Sequence, residues 1–272
     1  MTQKIIFTDI DGTILDEYGE YGNTPRIISS LVKDNVPVIL CSAKTLAEQA
    51  RIRKELGLND PFIVENGGAI IFEKGYFDNS LILGNYRFVE RNDEYIIELG
   101  KPATKIREIL NDIRRKFNLK FKGVADTSLE ELARLTNLSI KYAQEMSRRE
   151  YGETILQIDE RDLVKLTSIA MDMDLNIIHG GRFFDVTMGN DKGKAVELLV
   201  KLFKKKYNES IIFFGIGDSE NDASMLRHMD RPLLVQKTDG SWSDIDVNGV
   251  IKVAGIGPEG WALAYDDIVR VV

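Results

Sequence analysis

The sequence of 272 residues is poor in cysteine and histidine, and this excludes two kinds of site. It contains one cysteine, Cys41, so an intramolecular disulfide framework and a multi-cysteine zinc site are both impossible. With only two histidines, His179 and His228, a histidine-rich metal cluster is excluded as well. We therefore expect neither a disulfide-stabilised scaffold nor a zinc centre of the cysteine or histidine type.

Long apolar runs and a surplus of basic residues are also missing. The longest apolar stretches, such as residues 36–41, are far shorter than the roughly 20 residues that a membrane span requires. Lys plus Arg number 36 against 43 Asp plus Glu, and the formal net charge of -7 argues against a broad nucleic-acid surface. The first residues show no signal-peptide pattern. We expect a cytoplasmic protein that binds neither membranes nor nucleic acids.

Three short apolar runs indicate a parallel β-sheet. Residues 5–7, 36–41 and 211–214 are continuously apolar rather than alternating, as strands covered on both faces require. Each run is followed by small or polar residues and then by a helical pattern. Residues 45–48 match a capping box that opens one such helix, and Gly57 marks its end. This alternation predicts an α/β fold with a Rossmann-like parallel sheet and helices on both faces.

The middle of the chain has a different pattern. It contains long charged amphipathic helices, for instance over residues 106–117, and strand-like pieces at residues 154–158 and 175–178. Material of this α+β kind, inserted between two halves of an α/β core, indicates a second and smaller domain. The predicted domains are a core of residues 1–83 and 188–272 and an inserted domain of residues 84–187.

Acidic residues follow two of the predicted buried strands. Asp9 and Asp11 come after the first strand, and Asp218 and Asp222 follow the strand at residues 211–214. Ligands bind at the carboxyl ends of strands in open α/β sheets, so neighbouring strands would bring these carboxylates into one crevice. Without compensation the carboxylates would repel one another. A few carboxylates plus water suit Mg²⁺, and the sequence therefore predicts a magnesium site here.

Other ligand-binding motifs fit the sequence poorly. Residues 244–249 match the first half of a calcium-binding EF-hand loop, but the twelfth position of that loop is Gly255 instead of glutamate. Residues 215–220 lack the third glycine of a dinucleotide fingerprint. The Gly193-Lys194 pair lacks the first glycine of a nucleotide-binding P-loop, because Met188 stands in its place.

Four segments spread over the whole chain form a specific combination. They are Asp-Ile-Asp-Gly-Thr at residues 9–13, Ser42, Lys192, and Gly-Asp-Ser-Glu-Asn-Asp at residues 217–222. In order and separation they resemble the four motifs of haloacid dehalogenase-type phosphatases. The inserted segment resembles the α/β cap of the Cof-like branch of that family, which covers the active site. The resemblance implies a Mg²⁺-dependent phosphomonoesterase.

The resemblance also implies a role for each motif residue. Asp9 would attack the phosphorus and form an aspartyl-phosphate, and Asp11 would act first as general acid and then as general base. Ser42 would bind a phosphoryl oxygen, and Lys192 would neutralise Asp9 and the phosphoryl group. The implied magnesium ligands are Asp9, the backbone carbonyl of Asp11 and Asp218, and Asp222 would assist the metal site from behind them by holding a metal-bound water or Lys192.

Further segments narrow the resemblance to one branch of the family. They are residues 42–45, 65–68, 128–131, 149–151, 180–183, 190–193 and 257–261. These segments resemble the mannosyl-3-phosphoglycerate phosphatases, which release mannosylglycerate, a compatible solute, and phosphate. The resemblance implies a small-molecule phosphorylated sugar-glycerate as the substrate.

A phosphoglycerate substrate carries a carboxylate besides its phosphate, so at least one arginine of the cap should bind it. Arg182, which follows two glycines, is the first candidate, and Arg149 is the second. Asn66 and Gly67 are candidates at the interface between cap and core.

Two alternatives stay open at this stage. A cap of the same kind could serve glucosyl-3-phosphoglycerate or a general sugar phosphate. A non-catalytic phospho-acceptor of the response-regulator type also combines clustered aspartates, a Ser or Thr, a Lys and Mg²⁺ on a parallel sheet. Such regulators are shorter, however, and lack an acid–base aspartate two residues after the phosphorylated one. For the assembly we expect a monomer or a homodimer.

Overall fold

The computed structural model describes residues 2–82, 86–207 and 210–270. The strands within these residues are β1 (Gln3–Thr8), β2 (Val38–Leu40), β3 (Phe62–Val64), β4 (Ala69–Glu73), β5 (Phe88–Arg91), β6 (Glu94–Glu98), β7 (Phe121–Gly123), β8 (Gly152–Ile158), β9 (Leu175–Gly180), β10 (Phe183–Met188), β11 (Ile211–Gly217), β12 (Arg231–Gln236) and β13 (Ile251–Ile256). The α-helices are α1 (Thr24–Lys33), α2 (Leu46–Leu56), α3 (Asn79–Ile82), α4 (Ala103–Phe117), α5 (Leu129–Thr136), α6 (Ile140–Met146), α7 (Glu160–Met171), α8 (Lys192–Lys206), α9 (Ala223–Leu226) and α10 (Pro258–Arg270).

A five-stranded parallel sheet forms the core, in the order β13-β12-β11-β1-β2. Side chains alternate across it, so Ile6 packs against α1, α2 and α10 on one face, whereas Ile5 and Phe7 pack against α8 and α9 on the other. Both faces are therefore buried, which explains the continuously apolar strands. The predicted α/β fold with a Rossmann-like sheet is confirmed.

Helices α2 and α8 begin at the residues where local sequence signals predict a helix start. The side chain of Thr45 accepts a hydrogen bond from the backbone of Glu48, and the Glu48 side chain accepts one from the backbone of Thr45. The same helix, α2, ends at Gly57 in a left-handed conformation. Asp191 caps α8 by accepting a hydrogen bond from the Lys194 amide. The predicted capping box and helix end are confirmed.

A second sheet, β3-β4-β6-β5, adjoins the parallel sheet. Cys41, just after β2, forms a parallel bridge with Ile63, and Tyr95 and Ile97 of β6 belong to the same hydrophobic cluster as Phe7. The predicted boundary between residues 83 and 84 lies outside the described residues. Of the two strands that follow it, β6 pairs with β4 and β5 pairs with β6, so both belong to this second sheet.

A third sheet, β7-β8-β10-β9, is the centre of a separate α+β unit. Helices α4 and α7 cover one of its faces, and α5 and α6 pack on the other. Helix α6 also rests on α2 of the core, where Thr45 Oγ1 donates to the Glu145 carbonyl and Arg51 Nε lies 2.8 Å from Glu145 Oε2. None of the helices in the described residues is long and apolar enough to cross a membrane.

Candidate active site

Three aspartates meet at the carboxyl ends of β1 and β11. The two strands are parallel neighbours, and the Asp9 amide continues their ladder with a 2.9 Å hydrogen bond to the Ile216 carbonyl. Carboxylate oxygens of Asp9, Asp218 and Asp222 all lie within 4.8 Å of one another. The structure therefore brings together two acidic segments that are about two hundred positions apart in the sequence.

Lys192, in the first turn of α8, supplies the counter-charge. Its side chain is 1% exposed, and its Nζ donates to Asp9 Oδ1 and to Asp222 Oδ1, each at 2.7 Å. Burial alone lowers the pKa of this ammonium group, but the charges of Asp222 and Asp9 raise it well above its ordinary value. Lys192 is therefore a permanent positive charge between two buried carboxylates.

Both carboxylate oxygens of Asp222 accept hydrogen bonds. While Oδ1 accepts from Lys192, Oδ2 accepts from the backbone amides of Asp218, at 3.1 Å, and Ser219, at 3.2 Å. Thr13 Oγ1 donates to Asp218 Oδ1 at 3.2 Å, which orients the neighbouring carboxylate. Asp222 thus fixes the loop that carries Asp218.

A glycine is required where the two acidic segments touch. Gly12 has a φ of +77°, and a Cβ there would lie 2.7 Å from Asp218 Oδ2. Any side chain at this position would be strained and would push the Asp218 carboxylate away. The close approach of the first and fourth motifs therefore depends on Gly12.

Burial strongly raises the pKa values of two aspartates in the cluster, Asp9 and Asp218. Burial raises the pKa of Asp9 from 3.8 to about 7, although Lys192 opposes the shift. Burial, followed by the charges of Asp222 and Asp9, raises the pKa of Asp218 to about 8. A carboxylate cluster of this kind needs either protons or a cation. The all-oxygen donor set and the single internal lysine fit a hard divalent ion such as Mg²⁺.

The shifted acidity of Asp9 and Asp218 predicts how stability depends on pH and on Mg²⁺. Because their folded-state pKa values lie above the ordinary 3.8, the folded protein holds protons more tightly than the unfolded chain. Without metal, stability should therefore fall as the pH rises from about 4 to about 8. Mg²⁺ at about 100 times its Kd should raise the melting temperature by roughly 5–10 °C at pH 8 and by less at pH 5.

Calorimetry at both pH values, with Mg²⁺ or with a chelator, checks this expectation. The Asp218→Asn variant is the control and should show little stabilisation by Mg²⁺. An equal effect of Mg²⁺ at pH 5 and pH 8, or a full effect in Asp218→Asn, would contradict the assignment.

Ser42 and Asp11 lie beside the aspartate cluster. Ser42 follows β2, is buried, and its hydroxyl accepts a 3.3 Å hydrogen bond from the Lys44 amide. The Asp11 side chain is 59% exposed, and its Oδ1 lies 2.9 Å from Lys44 Nζ. The carboxylate of Asp11 is therefore mostly exposed to solvent and is not among the three clustered carboxylates. A metal contact through its backbone carbonyl stays a prediction.

Lys44 is a site residue to which the sequence alone assigned no role. It contacts Asp11, and Glu48 Oε1 lies 3.8 Å from its Nζ. The available signal was its position two residues after Ser42, at the end of a buried strand.

The two candidate arginines occupy very different environments. Arg182 is exposed at the turn between β9 and β10, with its guanidinium 5.2 Å from the Phe183 ring centroid. Strand β9, which leads into this turn, lies against the 3-10 helix Glu220–Asp222. Arg149 is buried, donating from Nη1 to the Ala43 carbonyl at 3.2 Å, with Nη2 3.6 Å from Asp185 Oδ1.

Asn66 and Gly67 lie against strand β10 and the segment before α8. Asn66 is buried, and its Nδ2 donates to Asp185 Oδ2 at 3.1 Å. A side chain at Gly67, whose φ is +89°, would overlap the Asp191 carbonyl. Asp185 also accepts a 2.5 Å hydrogen bond from Thr154 Oγ1. The sequence analysis assigned it no role, and its only signal there is an acidic residue within the mainly apolar run of residues 183–188.

Comparison with known proteins gives a consistent assignment. The sequence pattern of the haloacid dehalogenase-like hydrolases matches residues 6–239. A relative from Persephonella marina, named glucosyl-3-phosphoglycerate/mannosyl-3-phosphoglycerate phosphatase, is 37% identical over 260 residues, covering 94% of each chain. A relative of the same name from Methanococcoides burtonii is 38% identical over 274 residues, covering 98% of this chain and 97% of its own.

The fold is also found among solved structures. A protein from Thermoplasma acidophilum superposes with a TM-score of 0.68 over 99% of this chain and 100% of its own. Its sequence identity is 19%, so this likeness concerns the fold alone.

Proposed function

The chain belongs to the haloacid dehalogenase-like hydrolases, and on that premise we propose that it is a Mg²⁺-dependent phosphatase of a glycosyl-3-phosphoglycerate. One observation carries the catalytic part of the proposal. Asp9 is buried beside Lys192 and within 4.8 Å of two further carboxylates, at the edge of a parallel sheet where ligands bind. This arrangement suits a carboxylate nucleophile that must approach a phosphate dianion.

In the proposed reaction the Asp9 carboxylate attacks phosphorus, and the bond between phosphorus and the ester oxygen breaks. Asp11 donates a proton to the leaving ester oxygen, which departs as an alcohol. Asp11 then accepts a proton from water as that water attacks the aspartyl-phosphate, and inorganic phosphate and free Asp9 result. Lys192 and the hydroxyl of Ser42 stabilise the charge that spreads over the phosphoryl oxygens in both steps.

Asp9, Asp218 and the backbone carbonyl of Asp11 would hold Mg²⁺, which when bound offsets the repulsion between Asp9 and the phosphate. Asp222 has both oxygens occupied by Lys192 and backbone amides, so its proposed role is to hold Lys192 and the Asp218 loop in place.

The names of the relatives support the substrate class. Both relatives described above are named for glucosyl-3-phosphoglycerate and mannosyl-3-phosphoglycerate. We therefore propose that mannosyl-3-phosphoglycerate is hydrolysed to mannosylglycerate and phosphate, with the glucosyl compound as the alternative substrate. Membership of a hydrolase family gives no support to the phospho-acceptor alternative. A cytoplasmic location and a monomeric or homodimeric assembly stay predictions.

We further propose that the α+β unit around β7-β8-β10-β9 is the cap. Strands β5 and β6 share a sheet with β4, so the chain enters the cap near Gly100, where β6 has ended and α4 begins. The cap then returns to the core after β10.

A phosphate-release panel tests the proposed function. The purified protein is given mannosyl-3-phosphoglycerate, glucosyl-3-phosphoglycerate and a hexose 6-phosphate, each with Mg²⁺ or with a chelator. We expect Mg²⁺-dependent release, with kcat/KM for at least one glycosyl-3-phosphoglycerate well above that for the hexose phosphate. A preference for the hexose phosphate would contradict the substrate class, and full activity with the chelator would contradict the metal requirement.

Arg182 provides a test of substrate recognition. If its guanidinium binds the glycerate carboxylate through two hydrogen bonds, Arg182→Lys should raise KM for glycosyl-3-phosphoglycerate roughly 10-fold or more, since a lysine cannot reproduce the bidentate contact. The KM for a hexose 6-phosphate, which has no carboxylate, should change little. Arg161→Lys, on the exposed side of α7, is the matched control. Equal changes in KM for both substrates would remove Arg182 from the specificity site.

A further inference from the structure

Three successive residues after β3 adopt left-handed backbone conformations. The φ angles are 48° at Glu65, 55° at Asn66 and 89° at Gly67. For residues with a side chain this conformation is unfavourable, and it persists only where surrounding contacts hold it. Strain of this kind concentrates at functional sites, so the contacts that hold Glu65 and Asn66 are informative.

The backbone of this turn is bonded to the loop that carries Ser42. The Glu65 amide donates to the Lys44 carbonyl at 3.0 Å, and the Asn66 amide donates to the Ser42 carbonyl at 3.0 Å. The same turn is bonded to the segment before α8, because Asn190 Nδ2 donates to the Asn66 carbonyl at 3.2 Å. The turn therefore supports the segments that carry Ser42 and Lys192.

The side chain of Glu65 extends in the other direction, into the cap. Its carboxylate is buried and accepts hydrogen bonds from two successive amides, Glu150 at 2.8 Å and Tyr151 at 3.0 Å. The residue that precedes them, Arg149, returns to the core and donates to the carbonyl of Ala43, next to Ser42. Glu65, the 149–151 segment and the Ser42 loop thus form a closed ring of contacts.

We propose that Glu65 is a positioning residue that couples the docked cap to the phosphate-binding loop. By holding the amides of residues 150 and 151, it places Arg149 against the Ala43 carbonyl, and its own amide holds the same loop through Lys44. The Ser42 loop then has its full set of supports only when the cap is docked. This inference rests on the proposed function, because it assigns Ser42 to the phosphate and the cap to the rest of the substrate.

The variant Glu65→Gln tests the coupling, because an amide side chain can accept from only one of the two backbone N–H groups. Glu98→Gln is the matched control. Glu98 also contacts the cap entry, where its Oε1 accepts a 3.0 Å hydrogen bond from the Tyr151 hydroxyl, but it has no bond to the Ser42 loop among the described contacts. Each variant is assayed with the better glycosyl-3-phosphoglycerate and with para-nitrophenyl phosphate, a small ester that has no sugar and no carboxylate for the cap to bind.

In Glu65→Gln we expect kcat/KM to fall roughly 10-fold for the glycosyl-3-phosphoglycerate and by a clearly smaller factor, about 3-fold, for para-nitrophenyl phosphate, because Ser42 contacts the phosphate of both substrates but only the first is also held by the docked cap. Glu98→Gln should change both values by less than about 2-fold. A purely structural role would lower both activities of Glu65→Gln by the same factor, and that result, or no loss at all, would overturn the proposal. If Glu65→Gln does not fold, Glu65→Asp, whose carboxylate is one methylene shorter and is drawn back from both amides, should show the same selective loss.

Amide hydrogen exchange provides a second measurement that does not depend on the substrate. In Glu65→Gln, exchange should become faster both in residues 149–151 and in residues 42–45, whereas Glu98→Gln should leave residues 42–45 unchanged. Faster exchange confined to residues 149–151 would overturn the coupling. If wild type hydrolyses para-nitrophenyl phosphate but no glycosyl-3-phosphoglycerate, the proposed substrate is wrong, and the exchange result still decides whether Glu65 couples cap and loop.

Discussion

Replacing Asp9 by asparagine is expected to lower kcat for phosphate release by on the order of 10⁴- to 10⁶-fold, the range seen when a covalent nucleophile is removed. An amide oxygen is a poor nucleophile and carries no charge to attract a metal ion. The fold should survive, because asparagine has nearly the same shape and Lys192 keeps its second partner, Asp222. The loss is therefore expected in the chemical step.

The Asp11→Asn variant separates the nucleophile from the acid–base group. Removing an acid–base residue costs about 10²- to 10⁴-fold, so this variant should retain more activity than Asp9→Asn on the same substrate. Rapid quenching followed by intact-mass measurement should detect a phosphorylated protein in wild type and none in Asp9→Asn. A phosphorylated Asp9→Asn protein, or one with nearly normal turnover, would show that another residue is the nucleophile.

Replacing Lys192 by methionine should lower both stability and activity severely. Methionine fills a similar volume but leaves the carboxylates of Asp9 and Asp222 buried without a counter-charge. Breaking a buried ion pair on one side costs about 3–5 kcal/mol in the free energy of unfolding. Without Lys192 the pKa of Asp9 should rise further, so the destabilisation should be larger at pH 8, where the carboxylate must ionise, than at pH 5.

Lys194→Met is the matched control for this substitution, because it removes the same charge from the same helix turn. The Lys194 side chain is 60% exposed and lies 3.9 Å from Asp191 Oδ2, so its loss should change stability by no more than about 1 kcal/mol. Urea unfolding at both pH values, without metal, measures the difference between the two variants. Equal stabilities, or a Lys192→Met protein that hydrolyses substrate normally, would refute the role of this lysine.

Local sequence signals were sufficient to predict the strands and the helix start that surround this site. The continuously apolar runs predicted the parallel strands, since a strand buried on both faces has no polar side to reveal. The capping box at Thr45 and Glu48 located the start of α2, because both of its hydrogen bonds lie within four residues. Asp9 and Asp218 were predicted to converge from a topological rule alone, namely that parallel strands end at one edge of the sheet.

Local sequence signals could not predict the environment of a side chain when that environment depends on packing between distant segments. The sequence named Arg182 as the first candidate for the carboxylate and Arg149 as the second, yet Arg149 is buried beside the Ser42 loop and Arg182 is exposed at the turn between β9 and β10. Asp11 and Asp218 are both acidic residues after a strand, yet only Asp218 belongs to the buried cluster.

By itself, then, the sequence determined the α/β fold, the edge of the sheet at which the acidic segments meet and the residue types of the motifs, because each of these follows from local periodicity and short spacing. Only the tertiary structure decided which side chains are buried, which charges oppose one another and that the Glu65 carboxylate accepts from the amides of residues 150 and 151. Those properties depend on segments as far apart as residues 65 and 150, whose contact leaves no local trace in the order of the residues.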